Sequence, residues 1–168
     1  NSPFTYDNIA VDWEDANSDY AKQYENEELS WSNLKDLTDV ELYNCPNMTQ
    51  LPDFLYDLPE LQSLNIACNR GISAAQLKAD WTRLADDEDT GPKIQIFYMG
   101  YNNLEEFPAS ASLQKMVKLG LLDCVHNKVR HLEAFGTNVK LTDLKLDYNQ
   151  IEEIPEDFCA FTDQVEGL

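Results

Sequence analysis

The stretch Leu141–Pro155, LTDLKLDYNQIEEIP, decides how the rest of the chain is read. Leu144 and Leu146 alternate around Lys145, as in a short strand with one buried face. Leu141, Ile151 and Ile154 are expected to fill the same core from either side. Asn149 stands where the chain leaves the strand. Its side chain carries two donors and a carbonyl acceptor, so it is expected to be buried and to tie down turn backbone in its own coil and the next. Pro155 stops the strand from continuing.

The same arrangement recurs upstream in LGLLDCVHNKVRHL, IQIFYMGYNNLEEFP, LQSLNIACNRGI and LTDVELYNCPNMTQLP. With Leu144 as the marker, the equivalent residues are Leu122, Phe97, Leu64 and Val40, and FTDQVEGL puts Leu168 in the same slot. From Val40 forward the spacings are 24, 33, 25, 22 and 24 residues. The asparagine place is held by Cys45, Asn69, Asn102, Asn127 and Asn149. An apolar-proline step returns at Leu51-Pro52, Phe107-Pro108 and Ile154-Pro155. Ordinary sheet alternation does not set asparagine and proline at fixed offsets. Over roughly residues 34–168 the chain resembles the leucine-rich-repeat family, whose repeats run to about 20–29 residues and accept Cys in the asparagine place.

That resemblance implies an α/β fold: a right-handed horseshoe solenoid with a parallel sheet on its concave side and an irregular or helical convex side. It gives about five repeats plus a truncated sixth. The long spacing is explained by a helical insertion at 73–92, with Ser73 as cap and Leu77, Trp81 and Leu84 at helical spacing through Asp86. Thr90-Gly91-Pro92 ends it. The acidic run at 86–91 resembles the start of a calcium loop but lacks the closing carboxylate, so a solvated turn is expected. PDFLYDL, 52–58, supplies Phe54, Leu55 and Leu58 to the convex side.

Residues 1–33 do not fit the repeat and hold eight acidic side chains against Lys22 alone. They read as an acidic capping or flanking segment, with a short helix from Ser18 or Asp19 to about Glu28. At the other end Leu168 lacks the partners that follow Leu144. The chain is therefore expected to be a fragment whose parent continues the repeat, and whose open end frays or pairs with a second copy.

The whole chain carries 31 acidic and 12 basic side chains, a net charge of −19. Phosphate backbones need clustered Lys and Arg, so no nucleic-acid partner is expected. No run approaches transmembrane length, so no membrane insertion within the chain is expected. There is no signal peptide, and Asn1 is an unusual native start, so a leader is expected to have been removed or left out. Cys45 and Cys124 stand in core places and read as buried thiols; a disulfide between Cys45 and Cys68 is conceivable. None of the four cysteines has zinc spacing, and no cofactor is expected.

In family members the outward strand residues bind the partner. Here the central column is Glu41, Asn65, Tyr98, Asp123 and Lys145. The column before it is Asp39, Ser63, Ile96, Leu121 and Asp143. The flanking column is Asn44, Cys68, Tyr101, His126 and Tyr148. Ile96, Leu121, Tyr98 and Tyr101 give an apolar, aromatic centre, with acids including Asp147 around it; such a patch suits a protein ligand. The residues expected to contact it are Asp39, Glu41, Asn65, Ile96, Tyr98, Tyr101, Leu121, Asp123, His126, Asp143, Lys145 and Tyr148. His126 and His131 are the only histidines, no triad order stands out, and no enzyme is expected. The resemblance thus implies a non-catalytic recognition module, similar to secreted or surface leucine-rich-repeat proteins of gut bacteria. The alternative is the targeting arm of an enzyme, such as a bacterial effector, whose catalytic domain lies outside this chain.

Overall fold

Three-residue strands are all that the repeat allows, because asparagine-closed turns follow each pair of core residues. A computed structural model describes residues 4–5, 36–158 and 160. In it β1 (Phe4–Thr5), β2 (Asp39–Glu41), β3 (Ser63–Asn65), β4 (Ile96–Tyr98), β5 (Leu121–Asp123) and β6 (Asp143–Lys145) form one parallel sheet in chain order. Val40, Leu64, Phe97, Leu122 and Leu144 are direct register partners. The fold is the expected α/β solenoid.

β1 adds a strand that the repeat pattern does not contain: Phe4 pairs with Val40 and Thr5 with Glu41. The rest of the 1–33 segment, including the expected helix near residues 18–28, lies outside the described residues, as do Cys159 and 161–168.

The returns between strands differ from coil to coil. A 3-10 helix, Asp53–Asp57, buries Phe54, Leu55 and also Tyr56. The expected long helix is α1 (Ala74–Asp86), where Ser73 Oγ accepts the Gln76 N–H at 3.2 Å and Leu77, Trp81 and Leu84 turn inward. Gly91 then lies against the end of α1, where an added Cβ would meet the Ala85 carbonyl at 2.5 Å. The next return carries the short α2 (Ser110–Leu113), which packs beside α1. Phe97, Trp81, Phe107, Phe135 and Phe158 run edge to face behind the sheet, from one coil to the next.

The asparagines bond backward, not forward. Asn127 Nδ2 donates to Cys124 O in its own coil and to Met99 O in the coil before, while Oδ1 accepts the Leu104 N–H. Asn69, Asn102 and Asn149 likewise bind their own coil and the preceding one. The expected link from Asn149 to the following coil is thus corrected. Asn149 itself is half-buried, and Ile154 is 65 % exposed instead of filling the core. Both sit in the last described coil, which has a described neighbour on one side only.

Asp80 on α1 is a buried carboxylate, 6 % exposed. Its Oδ2 accepts the Leu51 N–H at 2.9 Å and its Oδ1 accepts from Gln76 Nε2 at 2.8 Å. Burial raises its pKa above the ordinary value, although both hydrogen bonds pull it down. A carboxyl whose folded pKa exceeds its unfolded one binds protons more tightly when folded. Its contribution is complete below the unfolded pKa and is lost as pH rises through the folded value. Asp80→Asn, which keeps an acceptor for Leu51, is therefore expected to flatten the fall in stability as pH rises above the ordinary carboxylate range. Asp80→Ala should instead lose about 1–3 kcal/mol by orphaning the Leu51 N–H. Urea titrations of both variants over that rise in pH check the sign.

Candidate functional site

Nine of the twelve expected contact residues lie in β2–β6 at the outward places of the sheet, and Tyr101, His126 and Tyr148 lie in the turns after β4, β5 and β6. Ile96 pairs with Leu121 and Leu121 with Asp143, while Asn65, Tyr98, Asp123 and Lys145 form a continuous row. Ile96, Tyr98 and Leu121 are half-buried by their neighbours, whereas Asp39, Asp143, Lys145 and Tyr148 are exposed.

The flanking column has a backbone reason to exist. Asn44, Cys68, Tyr101, His126 and Tyr148 all take positive φ, between 52° and 61°. This left-handed conformation turns the chain out of each strand, and for most non-glycine residues it costs roughly 1–2 kcal/mol. Three of them carry stacked rings. Tyr101 and His126 stack with centroids 4.3 Å apart, and His126 and Tyr148 at 4.1 Å, with the planes within 14° and 10° of parallel. The result is a three-ring row along the rim of the sheet face.

Sequence reasoning missed a fourth column: Tyr43, Ala67, Gly100, Val125 and Asp147. Tyr43 is 44 % exposed, and the small residues at 67 and 100 leave a hollow beside Tyr98 and Tyr101. The signal was present as two small residues in a place otherwise held by larger ones.

The charges divide by side. Lys78–Glu106, Arg83–Asp53 and Lys115–Asp86 tie the convex helices to neighbouring coils, and Arg83 also lies 3.7 Å above the Tyr56 ring. Among the described residues no ion pair uses Glu41, Asp123, Asp143 or Asp147 on the sheet side. Glu105, Glu106, Glu152 and Glu153 lie exposed on the descending turns.

Cys45 and Cys124 are buried, and the conceivable disulfide between Cys45 and Cys68 is not formed. Burial and the adjacent Asp123 raise the Cys124 thiol pKa, the reverse of what activates a nucleophile. The 86–91 run is a turn in which Asp87 Oδ1 accepts the Asp89 and Thr90 N–H groups. Among the described residues no His, Cys, Asp and Glu group is placed to hold a metal, and no helix is long and apolar enough to cross a membrane.

A family model described as Leucine Rich Repeat matches residues 140–161. A solved leucine-rich repeat protein from Bacteroides eggerthii DSM 20697 is 61% identical, with a TM-score of 0.76 over 98% of this chain and 27% of that one. The chain is similar to proteins of the leucine-rich-repeat family. Toll-like receptor 7 of Drosophila melanogaster is 31% identical over 107 residues, 62% of this chain and 7% of the receptor. The solved TLR13–ssRNA13 complex is 22% identical, with a TM-score of 0.56 over 78% of this chain and 17% of that one; the likeness shows the fold alone. The chain thus spans under a third of the length of each of these three relatives.

Proposed function

We propose that this chain is a non-catalytic recognition module that binds a partner protein on the concave face of its solenoid. The observation that carries the proposal is the aromatic row Tyr101–His126–Tyr148 standing beside Tyr98, Ile96 and Leu121 on a face rimmed by acids. Aromatic side chains held rigid before binding lose little entropy on contact, and interface hot spots concentrate in such centres. The proposal includes a secreted or cell-surface location, supported by the likeness to a receptor and to a bacterial leucine-rich repeat protein. It excludes nucleic acid as the partner, on the strength of the −19 net charge.

Affinity capture on the immobilised chain, followed by titration of the captured protein, tests the reading. Tyr98→Ala or Leu121→Glu is expected to weaken binding by about 2 kcal/mol, roughly thirtyfold, with little change in folding stability. Glu152→Lys, on the descending turn, should leave affinity within about twofold. Equal loss from Glu152→Lys points to another surface.

A further inference from the structure

A cavity of about 160 Å³ opens over Ala67 and Gly100, at the ends of β3 and β4. That is room for about five waters at roughly 30 Å³ each, below the roughly 300 Å³ of the smallest ligand pockets. The space suits a single long side chain better than a cofactor. Tyr43, Tyr98 and Tyr101 wall it, and Asp123 lines it from the strand side. Gly100 keeps it open: a Cβ there would stand 3.1 Å from Val125 Cγ2 and 3.4 Å from Asp123 Oδ1.

The walls are set before anything binds. Tyr101 has one ring face against His126, which is held in turn by Tyr148. The row ends at Tyr101, because the preceding place holds Cys68, which is too small to extend the stack and lines the same cavity. Asp123 Oδ1 accepts the Val125 N–H at 3.0 Å, which fixes the carboxylate and leaves Oδ2 for a ligand. A π-face and a carboxylate in one small hollow both attract a cation. The acids around them have no ion-pair partner among the described residues, in a chain of net charge −19. A guanidinium fits best, since its plane stacks on a ring while its N–H groups reach a carboxylate; a lysine ammonium is a point charge without that plane.

We propose that the hollow between Tyr43, Tyr98 and Tyr101 takes an arginine side chain of the partner protein, stacked on Tyr101 and paired with Asp123. This rests on the concave-face reading and names the chemistry of its ligand. The test is a titration of N-acetyl-arginine amide into the isotope-labelled chain, followed by amide chemical shifts. The controls are the citrulline analogue (same shape, no charge), N-acetyl-tryptophan amide and adenosine. The expected result is a saturable shift confined to 65–68, 98–101 and 123–126, with citrulline about tenfold weaker. Tyr101→Ala and Asp123→Asn should each weaken the arginine probe about tenfold, filling the hollow by Ala67→Leu should remove the response, and Glu152→Gln should not change it. No saturable shift, shifts elsewhere, or equal binding of citrulline, tryptophan or adenosine overturns the proposal on the wild-type chain alone. If the arginine probe fails while the partner still loses affinity with Leu121→Glu, the pocket is wrong and the recognition face stands. If the probe binds while only convex substitutions weaken the partner, the recognition reading is wrong and the arginine assignment falls with it.

Discussion

Trp81→Ala is expected to lower folding stability by about 4 kcal/mol. Trp81 is 1 % exposed and joins three coils. Its ring meets Phe97 edge-on at 5.8 Å and Phe107 at 4.9 Å, and its Nε1–H points at Met116 Sδ, 3.3 Å away. Removing it deletes a large apolar area and leaves a void between the sheet and α1, and each aromatic pair lost adds roughly 0.5–1.5 kcal/mol beyond area burial. A solenoid passes stability only between neighbours, so a void at the middle coil uncouples the coils on either side. Urea denaturation should show a lower midpoint and a less cooperative transition. Trp81→Phe should recover most of the loss. A change under about 1 kcal/mol would mean that the helix is an appendage on the coil, not part of its core.

Asn127→Ala comes next, at about 3 kcal/mol. The side chain is 6 % exposed and serves Met99 O, Cys124 O and the Leu104 N–H. Truncation leaves these groups of two coils short of a partner in a place water does not reach, at about 1–3 kcal/mol for each buried group left unpaired. Asn127→Asp separates this account from simple loss of volume. The carboxylate still accepts from Leu104 but turns charge toward two carbonyl oxygens, so it should be as damaging as alanine at neutral pH. Asn149→Ala, at a half-buried place, should cost about 1 kcal/mol. Chemical denaturation of the three variants provides the ranking, and an Asn127→Ala change within about 0.5 kcal/mol would mark an ordinary exposed turn residue.

What was legible in the sequence is what the repeat writes in one dimension. The marker residues fall into register because the places that bury and the places that turn recur together, and the Ser73 cap and the inward Leu77, Trp81 and Leu84 followed from helical spacing alone. The two outward strand columns followed from alternation, and the sheet sets each of them in register. The rest depends on shape in three dimensions. The cavity exists because side chains are missing at Ala67 and Gly100, and an absence has no motif. The row of Tyr101, His126 and Tyr148 needs both a left-handed backbone and matching ring orientations, which residue identity does not reveal. Ile154 fits the core pattern but is 65 % exposed, which its place in the pattern does not reveal. β1 was hidden because a two-residue strand is too short to show alternation.

Recognition on the concave face is tested most directly by amide hydrogen exchange of the chain with and without its captured partner. Binding there should slow exchange in β4 and β5 and in the turns at 98–101 and 123–126, while the convex 53–58 and 74–86 segments exchange at unchanged rates. Protection confined to the convex segments, with the tyrosine-bearing turns unaffected, would contradict the account.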